Sequence, residues 1–194
     1  SFAYVTPASS VEGLSAGIGY VHGGFMGSGK ETLGTAGGEV TEEDGAFEGS
    51  SVAVFLEYAA ADNASIGLEV MMEDITTPEN TNLQGATTNT VKATFENHAT
   101  LYGKVNLPFG FYGKAGLIYV DILTQESLGT GGAYDDADTT GLTVGLGYEH
   151  SMDNGVFVRA EVMAAEYDDV SATNKNDSSK SVTVSDMYGA IASL

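Results

Sequence analysis

The sequence predicts an all-β fold: an eight-stranded antiparallel up-and-down transmembrane β-barrel. Three observations predict it. Eight segments of roughly ten residues alternate apolar with small or polar side chains, the period of a strand. The connections between them are alternately short and long, as in a small barrel with tight turns on one side of a bilayer and loops on the other. When the charged residues are set on one face, the opposite face of each segment is almost wholly apolar.

The strands follow in order. The first is Leu14–Tyr20, apolar at even positions and small at odd ones. A Gly-rich acidic stretch, 23–50, reads as the first long loop. Val52–Tyr58 and Ile66–Glu73 form a pair about a tight turn at Asp62-Asn63. A Thr- and Asn-rich loop covers 76–94. The fourth strand spans about 98–107. Pro108-Phe109-Gly110 makes the next tight turn, because Pro presets φ and Gly permits positive φ. The fifth strand runs from Phe111 to about 122, and a third loop, 124–139, follows. Leu142–Glu149 and Val156–Val162 flank Asp153-Asn154-Gly155, the strongest hairpin signal in the chain. The fourth loop covers 168–180 and the eighth strand ends at Leu194. Residues 1–10 are expected to be a periplasmic N-terminal segment, with the barrel occupying 11–194 and both termini in the periplasm.

The apolar face carries aromatics near its strand ends. Tyr58, Phe111 and Tyr148 sit by the tight turns, and Tyr20, Tyr119 and Tyr188 towards the loops. Two such girdles flank the apolar band of a barrel in a bilayer. The opposite face carries Glu57, Glu69, Lys104, Lys114, Glu149, Arg159 and Glu161. Most lie three to five residues from a tight turn, which places them at similar depth. A soluble sandwich would bury these carboxylates at high cost. In a narrow barrel they pair across the lumen. The bulky inward residues Phe55, Met71, Tyr102, Tyr112 and Phe157 add to a closed interior, since eight strands leave room only for side chains.

Composition excludes several classes. The chain has 7 basic and 27 acidic residues and a net charge of -20, which opposes nucleic-acid binding. It has no cysteine, so neither a disulfide framework nor a thiolate metal site can form. No apolar run is long enough for a membrane-spanning helix. Ser1-Phe2-Ala3-Tyr4-Val5 reads like a mature start after signal-peptide removal.

Phrases such as Gly110-Phe111-Tyr112-Gly113-Lys114-Ala115-Gly116-Leu117 and Gly145-Leu146-Gly147-Tyr148 resemble the eight-stranded bacterial outer-membrane barrels, the family of the OmpA transmembrane domain and OmpX. The resemblance covers about residues 11–194 and rests on pattern. It implies the fold, a location in the outer membrane of a Gram-negative bacterium, and lipid as a partner. It says little about activity.

Gly24–Lys30 matches most of a phosphate-binding loop after a strand. Glu31 stands where Ser or Thr is needed, and no helical pattern follows, so a surface loop is the expectation. Glu57, Glu69 and Glu161 could supply acid–base chemistry, but with Lys104, Lys114 and Arg159 on the same face an ion-pair network is expected instead. His22, His98 and His150 lie on different strands; His22 and His98 both sit towards the loops and could approach one another, without an evident nucleophile. Acidic clusters recur at Glu42-Glu43-Asp44, Asp135-Asp136-Ala137-Asp138 and Asp168-Asp169. Asp135, Asp136 and Asp138 are the candidate calcium ligands, without the spacing of an EF-hand. Asn63-Ala64-Ser65 matches a glycosylation acceptor in a turn expected to face the periplasm, where it is discounted.

The sequence therefore leads to a non-enzymatic outer-membrane surface barrel, structural or adhesive, with acidic Gly-rich loops and a plugged lumen. No cofactor is expected, beyond divalent cations at the loops, and an extracellular partner or self-association would act through those loops. The alternatives are a narrow small-solute pore and a self-assembling surface array or filament subunit. A soluble, ligand-binding barrel is the rival at the level of fold.

Overall fold

The computed structural model describes residues 12–32, 40–84, 87–127 and 133–194. The segment 1–10 expected in the periplasm lies outside them. Eight long strands build a wall: β1 (Leu14–Thr32), β2 (Val40–Ala61), β3 (Ala64–Met71), β4 (Thr87–Asn106), β5 (Phe111–Ser127), β6 (Ala137–Ser151), β7 (Phe157–Tyr167) and β8 (Ser181–Ser193). Each pairs antiparallel with the next, and β8 returns to pair with β1, so the sheet closes into a ring. Short strands at Ile75–Thr76 and Asn80–Gln84 pair with β4, and Val170–Thr173 pairs with β8.

The strands run further than their alternation suggested. Much of the expected loop 23–50 is ladder: β1 continues to Thr32 and β2 begins at Val40, with Phe25 opposite Phe47 and Lys30 opposite Glu42. Gly23, Gly24, Gly27 and Gly29 carry no side chain, so they erase the apolar–polar alternation without breaking the extended backbone. The same correction applies at the other three loops. Residues 80–84 and 87–91 pair within 76–94, β5 and β6 extend into 124–139, and 170–173 pairs within 168–180. The phosphate-loop match Gly24–Lys30 is part of the β1 ladder, in extended conformation with no helix behind it. It therefore offers no cluster of converging N–H groups for a phosphate.

The tight turns fall where Gly, Asn and Pro place them. Phe109 and Gly110 both have positive φ, 66° and 85°, and Leu107 N–H donates to Phe111 O across the turn. Gly155, at φ 84°, closes the Asp153-Asn154-Gly155 turn, with its N–H donating to Met152 O. At the opposite end two bulges interrupt the wall, one between Glu96 and Ala99 and one between Met26 and Ser28, with Asn97 and Asp186 at φ 51°. Such bulges sharpen the twist at a barrel rim.

Burial is inverted relative to a soluble domain. Leu101, Leu117 and Leu146 are 58–63% exposed, whereas Lys104, Lys114, Glu57 and Glu161 are 3–7% exposed. The register lines up Leu56, Leu68, Leu101, Leu117 and Leu142 on successive strands as an outward belt of leucine. In water this belt would be a large unpartnered apolar patch. In lipid it is the surface the solvent demands, and a closed ring is one of only two ways to satisfy every backbone group there.

Candidate functional site: a charged plug in the barrel lumen

The lumen has two levels. The lower level, nearer the tight turns, is ionic; the upper is apolar. Strand alternation sends every second residue inward, and the register sets their height. Ser65 on β3, Lys104 on β4 and Lys114 on β5 are consecutive partners across the sheet. Two lysines directly opposite one another would repel. Each instead turns to its own carboxylates: Lys104 Nζ lies 2.7 Å from Glu57 and 3.1 Å from Glu149, and Lys114 Nζ lies 3.0 Å from Glu161 and 3.2 Å from Glu69. Arg159 spans the barrel, 2.7 Å from Glu149 through Nε and 2.9 Å from Glu57 through Nη2.

All seven charged residues singled out from sequence thus meet in the lumen, three cations against four carboxylates. Because these charges nearly cancel, the acidic excess of the chain lies outside the lumen. Hydroxyls satisfy the remaining carboxylate lone pairs. Ser65 Oγ and Tyr102 Oη donate to Glu57, and Tyr112 Oη donates to Glu161 at 2.8 Å. The cations also face rings: Lys114 Nζ is 4.3 Å from the Tyr102 centroid, and Arg159 Cζ is 4.7 Å from Phe55 and 4.8 Å from Phe157.

Two glycines make this possible. Gly67 is the cross-strand partner of Tyr102 and Gly147 that of Tyr112. A Cβ at either position would overlap the tyrosine ring. The missing side chain lets each ring lie flat across the neighbouring strand and bring its hydroxyl to a glutamate. The sequence pattern marks Tyr102 and Tyr112 only as bulk that closes the lumen, and Ser65 only as part of a glycosylation acceptor. The sequence signal that could have found the donors is Gly and Tyr sharing the inward phase of adjacent strands at turn-fixed register.

Above the plug, Val21, Ala53, Met71, Ile118, Met163, Ala165 and Ile191 pack into one apolar cluster. Phe25, Phe47 and Phe95 stack above it with centroids 5.3 and 5.5 Å apart. His98 is turned inward onto Tyr167, whose hydroxyl lies 3.3 Å from its Nε2. His22 shares the outward phase of Tyr20 and bonds Ser50 through Nδ1, so it does not approach His98: the wall stands between them. His150 is outward and exposed, opposite Val158.

The aromatic residues Tyr20, Tyr58, Phe111, Tyr119, Tyr148 and Tyr188 are all exposed on the outer face. Phe111 and Tyr148 meet edge to face at 5.4 Å next to a tight turn. Beyond the outer girdle, the candidate calcium ligands do not converge. Asp135 pairs with Lys175 at 3.0 Å, and Asp136 accepts the N–H of Thr124. Asp138 stands opposite Asp121 across β5 and β6. Among the described residues no group of three or more metal-capable side chains comes together. In the last connection Asp177 accepts from the Ser179 hydroxyl and N–H, and these bonds hold its carboxyl below the usual aspartate range.

The family profile of the outer membrane protein beta-barrel domain matches residues 3–188. The chain belongs to that family. It is therefore an outer-membrane barrel embedded in lipid. Among solved structures it is similar to the outer membrane protein OprG from Pseudomonas aeruginosa, at 15% identity and a TM-score of 0.52, covering 91% of this chain and 95% of that one. It is also similar to the outer membrane protease OmpT from Escherichia coli, at 11% identity and a TM-score of 0.49 over 97% of both chains. A third likeness is to Ail, the attachment invasion locus protein of Yersinia pestis, at 10% identity and a TM-score of 0.36 over 91% of this chain and 98% of that one. Comparison with curated proteins gives no match. These identities speak for the fold alone.

Proposed function

We propose that this protein is a closed, non-enzymatic surface barrel whose working parts are the acidic hairpins above the outer girdle. The observation that carries the reading is the plug: Lys104, Lys114 and Arg159 locked to Glu57, Glu69, Glu149 and Glu161 across the lumen, under a packed apolar layer. Each carboxylate there is engaged by a cation, and two also by phenols, an arrangement suited to rigidity rather than to proton transfer. A barrel blocked in this way acts through what it displays. The β1–β2 hairpin displays Glu31, Glu42, Glu43, Asp44 and Glu48 with Lys30 as the one basic residue of 23–50. Such a surface attracts cations, including divalent ions that bridge it to anionic headgroups or to other cells.

Planar-bilayer recording of the refolded barrel tests closure. The expected record has no discrete conductance steps at neutral pH and moderate salt. Reproducible steps would replace this reading with the narrow pore. Display is tested separately, by expressing the protein on cells and measuring aggregation and surface attachment with and without a chelator. Ordered filaments under the electron microscope would favour the assembling subunit instead.

A further inference from the structure

Above the outer girdle the wall is split between β2 and β4. β2 pairs with β3 from Ala53 to Ala61, and the uppermost bond on that side runs from Met72 N–H to Val52 O. Higher up, Val40–Ser50 is paired with β1 on one side, and among the described residues nothing is paired with it on the other. Val52 stands opposite Tyr20 of the outer girdle, so this stretch lies outside the membrane. Because Val52 bonds away from β1, the alternation of an unbroken antiparallel ladder aims the main-chain groups of Ser50, Glu48, Ala46, Asp44 and Glu42 into the split. The chain after β3 does not cover them, since Ile75–Thr76 and Asn80–Gln84 both pair with β4 instead. The result is a slot with built sides. Ile75 seats against Gly49 at its foot, where a Cβ would collide with it. Phe47 of β2 stacks on Phe95 of β4 behind it, towards the lumen.

The charge around the slot is one-sided. Between Lys30 and Lys92 the sequence has no basic residue. Glu42, Asp44 and Glu48 on β2, and Glu73, Asp74 and Glu79 between β3 and the strand Asn80–Gln84, are all exposed along its rim. Open strand edges are ordinarily blunted with Lys or Pro, and residues 40–50 hold neither. We propose that the slot is a docking site for an extended cationic peptide from outside the cell, added as a strand to β2. The proposal rests on the reading that this barrel acts through the hairpins it displays, and it names their partner. An open edge offers main-chain donors and acceptors to an extended segment, and alternate side chains set the preference. A peptide running antiparallel to β2, beside Asn80–Gln84, sends every second side chain outward, next to the rim carboxylates. Lys or Arg suits those positions, and Val or Thr suits the intervening ones, which turn inward towards Phe47. A second copy of this chain is a poor occupant, because its edge carries the same carboxylates and its net charge is -20.

The probe is a labelled, end-blocked peptide, Lys-Val-Lys-Thr-Lys-Val-Lys-Thr, titrated against the full chain refolded into phosphatidylcholine vesicles, which carry no net charge. Its control is the same peptide with its main-chain nitrogens methylated, which keeps the charge and removes the donors. The unmethylated peptide is expected to bind about tenfold tighter than the control. It is also expected to slow amide exchange at Glu42, Asp44, Ala46 and Glu48. Ala46→Pro removes one edge donor without touching a charge or a bond to β1, and should erase the tenfold preference in a barrel that still shifts on boiling. Glu42→Gln with Glu48→Gln should weaken both peptides alike and reduce the salt dependence. Equal affinity of the two peptides, unchanged exchange at 42–48, or a preference that survives Ala46→Pro would overturn the slot and leave display by acidic hairpins standing. No binding by either peptide would overturn both. Should Ala46→Pro fail to fold, the methylated control decides alone.

Discussion

Lys114 is the lumen cation whose loss should be felt most sharply. It is the ion-pair partner of both Glu69 and Glu161, and it is 6% exposed. Lys114→Met keeps the length and apolar stem of the side chain but removes its charge. Glu161 then keeps only the Tyr112 hydroxyl, and Glu69 loses its salt bridge, so two carboxylates remain inside a narrow lumen without a cation. Removing one partner of a buried ion pair costs about 3–5 kcal/mol. Glu69 is the less buried of the two carboxylates, with 14% of its side chain exposed against 5% for Glu161, so water at Glu69 relieves part of this. A loss of about 3 kcal/mol is expected, roughly a hundredfold in the folding equilibrium. The assay is urea titration of the barrel in lipid vesicles, read by heat-modifiable gel migration. Lys114→Met with Glu161→Gln and Glu69→Gln should recover most of the loss, because it removes the stranded charges as well. A single variant within about 0.5 kcal/mol of the parent, or a triple variant no better than the single, would mean that Lys114 does not hold these two carboxylates in place.

Other outcomes follow from the same structure. Gly147→Ala should displace the Tyr112 ring and cost about 1–3 kcal/mol by overpacking, and Gly113→Ala, where an added Cβ meets nothing within 4 Å, should cost far less in the same titration. Leu117→Arg on the leucine belt should cost about 2–4 kcal/mol in vesicles of normal thickness. The lowered Asp177 carboxyl gives the last connection a pH dependence with a definite sign. Its bonds to Ser179 contribute above the ordinary aspartate pKa and are lost as pH falls through the depressed one, so exchange protection at the Ser179 amide should be flat from neutral pH to about 5 and fall away under stronger acid.

The wall was legible because it is written in period two, and the turns because Pro108, Phe109-Gly110 and Asn154-Gly155 fix where the period restarts. The plug was legible for the same reason, since charged residues in one phase at one distance from the turns must share a level. The upper strands were not legible, because the glycines of 23–29 have no side chain with which to show a face. Nor was the inward turn of Phe95, which is out of step with Thr100, Tyr102 and Lys104. The bulge between Glu96 and Ala99, with Asn97 at φ 51°, shifts the phase of β4, and a periodic reading has no means of locating an inserted residue. The roles of Tyr102 and Tyr112 depend on which glycine lies beside each ring, a fact of register rather than of composition.

The apolar face of the wall meets lipid and the charged face meets the lumen. The chain contains no tryptophan, so single Trp probes report cleanly. Leu56→Trp and Phe55→Trp sit on adjacent residues of β2 at nearly the same depth, one outward and 51% exposed, the other turned inward onto Arg159. In vesicles containing bromine-labelled acyl chains, strong quenching is expected at position 56 and little at position 55. Equal quenching at both positions, or the reverse order, would contradict it.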